Sequence, residues 1–428
     1  MASKRSGARL SPHLRASDLR GAAQLATQGV LGVARVAEGV HQSVLGTLGL
    51  PGGQHQGQTA GLTGLIYRSV RGVTGVVGRS LDAALAALLP AQACASPDVA
   101  STRQREAVLA ALNGVVGDRM AAGSNPLATP MTLRLPGAAP VAPAELRRRL
   151  PPGGKLLLFV HGLCMNDLQW QLQQTPAVPA APPGVDLGAL LSEHLGYTPV
   201  YLRYNTGLHI SQNGRSLAAQ LAQLLGDRPH PVTELAVVAH SMGGLVMRSA
   251  IHCAQQEGAG WLKGLKHLVF LGTPHHGAPL ERTGHWVELL LGKTPYSAPF
   301  AKLVQLRSAG ITDLRYGFVA DADWLGKDRF RRAPDTRQHV PLPEGVACHA
   351  FAATLAGQRS AVADRLVGDG LVPLPSALGQ HDDPARSLVF DRSSQRIAYR
   401  THHNALLTSP EVGQQLLEWL GPRAVAQQ

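Results

Sequence analysis

From residue 155 onward, short unbroken apolar runs alternate with stretches of helical periodicity, and this alternation constrains the fold more than any other feature. A strand without polar alternation is typical of a parallel sheet that helices cover on both faces. The pattern therefore predicts a doubly wound α/β fold with a mostly parallel sheet. The predicted strands are 156–160, 199–204, 235–239, 267–271 and 348–355, and the helices between them include 214–225 and 243–256.

The N-terminal part of the chain has a different pattern. Over residues 22–90, Val, Leu and Ile recur at three- and four-residue steps on either side of the breaker GLPGGQHQGQTAG, which predicts two amphipathic helices. We predict a helical extension over 1–100 and an α/β domain over 101–428. A further helix over 101–120 and a short edge strand at 131–135 complete the predicted elements.

Positive charge is concentrated in the first third of the chain. The net charge is +12, and residues 1–150 hold 16 of the 40 Lys and Arg but 7 of the 28 Asp and Glu. Basic segments favour anionic partners, but aromatic residues make up only 4% and do not alternate with the arginines, so no nucleic acid partner is expected. Two interpretations of residues 22–90 stay open. They form either a hairpin folded against the main domain or a peripheral contact with an anionic membrane, with Arg68, Arg71 and Arg79 near headgroups.

The cysteines and the N-terminus bear on redox state and localisation. The four cysteines are far apart and form no CxxC pair, so neither zinc ligation nor a dense disulfide framework is expected. The basic N-terminus lacks the apolar region of a secretory signal peptide, and no run of 18 apolar residues predicts a transmembrane helix. We expect a cytoplasmic protein, and peripheral attachment to the membrane stays open.

The segment ELAVVAHSMGGLV, residues 234–246, presents one serine between a predicted strand and a predicted helix. A serine hydroxyl becomes a nucleophile when a base takes its proton and donors stabilise the oxyanion. Ala239 and Gly243 are small enough for the tight turn that lifts the Ser241 hydroxyl clear of a sheet. The resulting A-x-S-x-G differs by one methyl group from the usual G-x-S-x-G elbow. Ser241 is the predicted nucleophile, and a serine that only caps a helix is the alternative.

An oxyanion hole is predicted from two backbone amides. The run LLLFVHGLCMN is a strand that ends in His-Gly, upstream of the serine, where such enzymes place one donor. Gly162 permits close approach of the backbone, so the amide of Leu163 is the first predicted donor. The amide of Met242 is the second, at the positive end of the following helix.

An acid and a histidine are expected after the serine, in that order. VGDGLVP places Asp369 between glycines in a loop after a predicted strand, where a carboxylate can orient an imidazole. His403 is the predicted base, because Leu406 and Leu407 can anchor its loop. His402 stays open as an alternative base.

Residues 278–345 form a connection too long for a simple turn. One interpretation is a cap or lid whose apolar face lines an acyl-binding groove and excludes water. The other is a helical excursion with a small core of its own. Asp321 and Asp323 fall in this segment and are weaker candidates for the acid. The large apolar residues of the segment are Trp286, Leu289, Leu290, Leu291, Phe300 and Trp324.

These loops together resemble a known family. From about residue 101 the chain resembles bacterial lipase-like α/β-hydrolases, the group that includes GPI inositol-deacylase-like and triacylglycerol lipases. The resemblance rests on FVHGLCMND, RYNTGLHISQNGR, VVAHSMGGLVMRSA, HLVFLGTPHHGAPLE, VGDGLVP and HHNALL. It implies an α/β-hydrolase fold, a triad of Ser241, Asp369 and His403, ester substrates, and no metal or organic cofactor. The basic N-terminal region lies outside it.

We therefore expect a serine carboxylester hydrolase, a lipase or esterase that acts on apolar or lipid-like esters through an acyl-enzyme. An acyltransferase or a polyester depolymerase with the same triad is an alternative. A non-catalytic, membrane-associated scaffold is an alternative of a different class.

Overall fold

The computed structural model describes residues 15–47, 58–93, 101–171, 184–226, 232–278, 307–328, 335–358, 364 and 367–422. They belong to two compact units, one drawn from Met1–Arg105 with Met120–Ala128 and the other from Glu106–Arg119 with Thr129–Gln428. Helix α3 is shared between the units, and only part of 278–345 is described. The domain limits at residue 100 and at 278–345 therefore stay predictions.

The helices and strands of the described residues have the following bounds. The helices are α1 Ala16–Thr47, α2 Gly61–Ala93, α3 Arg103–Ala122, α4 Pro143–Arg149, α5 Leu187–Leu195, α6 Ile210–Leu225, α7 Met242–Gln256, α8 Ala309–Tyr316, α9 Leu374–Ala377 and α10 Pro410–Leu420. The strands are β1 Thr132–Arg134, β2 Lys155–Val160, β3 Tyr197–Arg203, β4 Glu234–His240, β5 Leu265–Leu271, β6 Ala347–Thr354 and β7 Gln395–Tyr399. None of these helices is long and apolar enough to cross a membrane.

The strands form one mostly parallel sheet in the order β1-β3-β2-β4-β5-β6-β7. Strand β1 is antiparallel to β3, and every other pair is parallel. This is the strand order of the α/β-hydrolase fold. The doubly wound α/β fold predicted from unbroken apolar runs is therefore confirmed.

Helices cover the central strands on both faces. Successive side chains of a strand point to opposite faces, so Leu157 and Phe159 of β2 lie on one side. There they belong to a buried core with α5 and α10, which contribute Leu191 and Leu416. On the other side α7 packs against β2 and β4, and α6 packs against α7. Burial on both faces is the reason that β2 has no polar alternation.

Strand β7 at the edge of the sheet was not predicted. Its residues pair with β6 in parallel, but only Ala398 among them is buried. A strand that is half exposed and begins with Gln395 and Arg396 carries no apolar run for a sequence pattern to detect.

A buried arginine ties helix α3 to the sheet inside the second unit. The guanidinium of Arg203, at the end of β3, donates hydrogen bonds to the carboxylates of Asp167 and Glu106. The three side chains are 6% to 11% exposed. Arg134 also lies 3.8 Å from Oδ2 of Asp167, so the buried charges compensate one another in a small network.

Replacing Arg203 with Met should lower the free energy of unfolding by about 3–5 kcal/mol, because the buried carboxylates of Glu106 and Asp167 both lose a directly bonded cation. Urea unfolding followed by circular dichroism measures the change. Arg396→Met is the matched control, since Arg396 pairs with Glu411 at 3.6 Å on the surface, where an ion pair contributes about 0–1 kcal/mol. Equal losses in the two variants would contradict the assignment.

Candidate active site

Ser241 lies in a strained turn between β4 and α7. Its φ and ψ are 53° and −126°, a conformation with positive φ that a residue with a side chain rarely adopts. The turn is held by two hydrogen bonds, from the Ser241 amide to the Leu271 carbonyl at 2.9 Å and from the Gly244 amide to the Ser241 carbonyl at 3.0 Å. This strand-turn-helix geometry is that of a nucleophile elbow. The whole residue is only 3% exposed, so its hydroxyl is not on an open surface.

Gly243 is the position at which the elbow tolerates no side chain. A Cβ added there would come 2.5 Å from the Val160 carbonyl oxygen and 2.7 Å from that of His161. Both atoms belong to the backbone at the end of β2 and cannot turn away. The small residue that the sequence motif requires two positions after the serine is therefore required by contact with β2.

The loop after β2 brings a second backbone amide to the elbow. A Cβ on Gly162 would lie 2.9 Å from the Cβ of Ser241, so the loop passes directly beside the serine. The loop is fixed where the Cys164 amide donates to the Thr206 hydroxyl at 3.2 Å, and Cys164 has a φ of 58°. Within the described chain, the amides of Leu163 and Met242 donate no hydrogen bond, although both residues are fully buried. Two free amides beside a serine are the donors that an oxyanion needs.

Asp369 and His403 are in direct contact. The Nδ1 atom of His403 is 2.6 Å from Oδ2 of Asp369, and the His403 amide donates to the Asp369 carbonyl at 3.1 Å. The other carboxylate oxygen, Oδ1, accepts from the amides of Leu371 and Val372 at 3.0 and 2.8 Å. Asp369 is therefore committed to one orientation, with one oxygen held by the backbone and the other by the imidazole.

The imidazole of His403 lies, like Ser241, at the carboxyl ends of the parallel strands. Its ring is 4.5 Å from that of His240, the residue before the serine. A Cβ on Gly272, just after Leu271, would be 3.2 Å from its Cε1 and Nδ1 atoms. Nε2 of His403 is buried and accepts no hydrogen bond within the described residues, from Ser241 or any other group. Hydrogen bonds between catalytic groups are often long without substrate, and Nε2 is the nitrogen left to receive a proton.

The alternative base, His402, occupies a different environment. It is exposed and precedes the 3₁₀ turn His403–Leu407, in which Leu406 and Leu407 are buried. The anchoring expected from these leucines is present. The structure therefore brings Asp369 together with His403 and not with His402.

Buried neutral histidines surround the candidate site, and the sequence patterns assigned them no role. Burial lowers the pKa of His240 well below its usual value and that of His161 to about 4. Nε2 of His240 donates to the His403 carbonyl at 3.2 Å. His161 stacks on Tyr204 with ring centroids 4.4 Å apart. His240 thus supports the backbone of His403, a contact between residues 163 positions apart that no local motif reveals.

His275 and His276, which follow β5, were expected near the site without an assigned role, and their contacts are with the loop after α9 and with Phe270 and Phe390. Burial lowers the pKa of His275 well below its usual value and that of His276 to about 4. Nε2 of His276 donates to the Gly379 carbonyl at 2.9 Å, and its amide donates to the Ser376 hydroxyl at 3.1 Å. His276 therefore fixes one loop to another.

The described part of the segment 278–345 is fixed in place. The carboxylate of Asp313 is 3.0 Å from Nδ1 of His209 and accepts from the Ile210 amide at 2.9 Å. Trp324 stacks on His209 with ring centroids 3.6 Å apart. Asp321 and Asp323 contact neither Ser241 nor His403 and bond to Ser211 and to local amides, respectively. The lid residues expected at 286–300 lie outside the described residues.

Among the described residues, no group of three or more His, Cys, Asp or Glu side chains is arranged to hold a metal ion. The three cysteines described, Cys164, Cys253 and Cys348, are free. Burial raises the pKa of the Cys164 thiol to about 12, so this thiol stays protonated.

A family model described as a domain of unknown function, DUF7379, matches residues 129–313, less than half of the chain. A comparison with curated protein sequences gives no match.

Solved structures that resemble this chain include several esterases and lipases. The mature lipase BlEst2 of Bacillus licheniformis is 18% identical, with a TM-score of 0.39, over 62% of this chain and 92% of the lipase. A gene product of Listeria innocua, lin2722, is 14% identical, with a TM-score of 0.33, over 64% and 96% of the two chains. The esterase PF2001 of Pyrococcus furiosus is 15% identical, with a TM-score of 0.32, over 63% and 83%. At such values these similarities carry no argument about activity.

Replacing Gly243 with Ala should displace helix α7 from β2 and lower the free energy of unfolding by about 1–3 kcal/mol, the usual cost of overpacking. Gly260→Ala is the matched control, because a Cβ there meets no atom within 4 Å. Thermal unfolding of both variants measures the difference. A melting temperature for Gly243→Ala equal to that of the control would refute the contact.

Proposed function

We propose that this chain is a serine carboxylester hydrolase in which Ser241 is the nucleophile, His403 the base and Asp369 the residue that orients it. The observation that carries the proposal is the 2.6 Å contact between the buried side chains of Asp369 and His403. This contact lies at the carboxyl ends of the strands, where Ser241 occupies a turn with positive φ. A buried carboxylate bonded to Nδ1 fixes the tautomer in which Nε2 accepts a proton.

The reaction follows from these positions. Oγ of Ser241 attacks the carbonyl carbon of the ester while Nε2 of His403 takes the hydroxyl proton. The negative charge moves to the carbonyl oxygen, where the amides of Leu163 and Met242 donate to it. When the bond to the leaving alcohol breaks, His403 returns the proton to the alcohol oxygen. Water, activated by the same imidazole, then releases the acid and restores Ser241.

The surroundings of the serine favour uncharged, apolar esters. The residues that contact the elbow include Gly162, Leu271 and Met242, none of which carries a charge. Burial of Ser241 also favours uncharged substrates. A charged ester would lose its hydration on entering the site, and the described residues named above would offer it no opposite charge. Lipid-like esters satisfy both conditions.

The acyl acceptor and the substrate class stay proposals, and experiments distinguish the alternatives. An acyltransferase or a polyester depolymerase shares the acyl-enzyme and differs only in acceptor or substrate, so products formed in the presence of alcohols and polymers distinguish them from a simple hydrolase. The resemblance to GPI inositol-deacylase-like lipases suggests lipid-linked esters as substrates to include. A scaffold without activity would leave Ser241 unlabelled by a fluorophosphonate probe.

Replacing Ser241 with Ala should lower the hydrolysis of a p-nitrophenyl ester by about 10⁴-fold or more, as loss of a triad nucleophile does. Fluorophosphonate labelling should disappear in the same variant, and circular dichroism should be unchanged. Retained hydrolysis by a correctly folded Ser241→Ala protein would rule out the proposed nucleophile.

Replacing Asp369 with Asn should lower kcat by about 10⁴-fold, because the amide favours the wrong tautomer of His403. His403→Gln should have an effect of similar size, since it removes the imidazole that takes the proton. His402→Gln is the control, one residue away and exposed, and should retain activity. A large loss in His402→Gln together with activity in His403→Gln would reverse the assignment of the base.

A further inference from the structure

Helices α1 and α2 of the first unit pack side by side through polar contacts. The carboxylate of Asp82 in α2 accepts from Arg20 and Gln24 in α1, each at 2.7 Å. Glu38 of α1 is 2% exposed; it accepts from Thr59, just before α2, at 3.2 Å and from Arg71. The surface between the two helices, called the seam below, is thus occupied by charged and hydroxyl groups.

The two helices also pack closely at one glycine of the seam. A Cβ on Gly78 of α2 would come 2.3 Å from Cγ2 of Thr27 in α1. A Cβ on Gly64 would come 2.1 Å from the carbonyl oxygen of Thr59. Gly78 therefore lets the two helix backbones approach each other, and the ring of Tyr67 in α2 packs edge-on against that of His41 in α1, with centroids 6.1 Å apart.

Seven large apolar side chains of α2 point away from the seam. They are between 44% and 64% exposed, and we call them the outer face. At 100° per residue they cover an arc of roughly 160°, centred almost opposite the seam. Val33 and Val40 of α1 are likewise 71% and 61% exposed. The members of the outer face are Leu65, Ile66, Val70, Val73, Val76, Val77 and Leu81.

Buried charges between the helices and exposed valines outside are the opposite of the usual arrangement in a hairpin surrounded by water. A hairpin surrounded by water buries its branched apolar residues between the helices and exposes its charges. Here the charges are buried in the seam and the valines are exposed. A contiguous exposed apolar surface of this kind marks a site of interaction with something less polar than water.

The charges beside the outer face indicate which partner fits it. Each acidic residue described in α1 and α2 is paired, Asp18 with Arg105, Glu38 with Arg71 and Asp82 with Arg20. Within the described chain, Arg35, Arg68 and Arg79 have no acidic partner. Arg71, expected from the sequence near headgroups, is instead held in the seam.

Two of the unpaired arginines border the outer face. At 100° per residue, Arg68 and Arg79 lie about 40–60° beyond its edge. Long basic side chains at this position can place their guanidinium groups at phosphates while the apolar residues enter the acyl region. A second copy of the chain would instead bring like charges together. Because α2 is not apolar enough to cross a membrane, the fitting orientation is parallel to the membrane surface.

We propose that the outer face of α2 inserts into the interfacial region of an anionic lipid bilayer, with Arg68 and Arg79 on the headgroup phosphates. A helix of 33 residues is about 50 Å long, so the face lies along the surface rather than entering at one point. The interaction does not depend on the proposed esterase activity, because none of these residues belongs to the candidate site.

Co-sedimentation of the full chain with vesicles tests the insertion of apolar side chains. The wild-type protein should bind vesicles that contain phosphatidylglycerol, and the double variant Val73→Gln/Val77→Gln should bind at least tenfold more weakly. Gln has a higher helix propensity than Val, so a loss of helix cannot explain the result, and circular dichroism checks this. Val389→Gln is the matched control, because Val389 is 87% exposed and lies in the other unit. Its binding should equal that of the wild type.

Charge variants test the choice of an anionic surface. Arg68→Gln/Arg79→Gln should weaken binding to phosphatidylglycerol vesicles severalfold and leave the weaker binding to phosphatidylcholine vesicles unchanged. Arg392→Gln, an exposed position in the other unit, is the control and should behave as the wild type. Added salt should weaken wild-type binding more than that of the double arginine variant.

Three results would overturn the proposal. Unchanged vesicle binding by the valine variant would show that the outer face does not insert. Equal binding to neutral and anionic vesicles would remove the role of the arginines. A wild-type dimer that the valine variant converts to a monomer in light scattering, without vesicle binding, would make the face an interface between copies. Hydrolysis of a water-soluble ester, measured in the same variants, should be unchanged and keeps this test separate from that of the active site.

Discussion

Contact between the start of helix α7 and the end of strand β2 is the constraint on which the candidate site depends. Gly243 rests on the carbonyl groups of Val160 and His161, and this forces the chain to turn sharply at Ser241. The same closeness places Gly162 and the Leu163 amide beside the serine. The proposed nucleophile and the proposed oxyanion donors thus lie at one packing contact between the buried ends of neighbouring elements.

Uncharged imidazoles form much of the surroundings of His403. Burial lowers the pKa of His240, whose ring packs against that of His403, well below its usual value, because a protonated ring would lose its hydration. A positive charge on His240 would disfavour the proton that His403 accepts in the proposed reaction. Asp369 is the carboxylate bonded to the His403 ring, at 2.6 Å.

The strands of the sheet and the loops of the site could be predicted from local sequence, for related reasons. A strand buried on both faces is an unbroken apolar run, and a loop that must turn tightly after such a strand contains small residues. Ser241 and Asp369 lie in loops of this kind. Strand β7 could not be predicted, because its edge position removes the apolar signal. The contact of His240 with His403 joins distant positions, and no local pattern encodes it.

The helical extension shows a different limit of periodicity. A repeat of Val and Leu at three- and four-residue steps predicts that one side of a helix is apolar, but it does not say what that side meets. In α2 the polar side chains of the seam, such as Asp82, determine the answer, because they bond to α1 and turn the valines outward. The direction in which the apolar side faces depends on contacts with another helix. The sequence pattern of one helix carries no information about those contacts.

The two sets of hydrogen bonds to the carboxylate of Asp369 have a consequence for the proposed transfer of a proton to His403. Two amides hold Oδ1 independently of the imidazole, so the carboxylate keeps its orientation whether His403 carries one proton or two. No side chain has to rotate as positive charge appears on the ring. The reorganisation that an aqueous solvent would undergo at that moment has already taken place during folding.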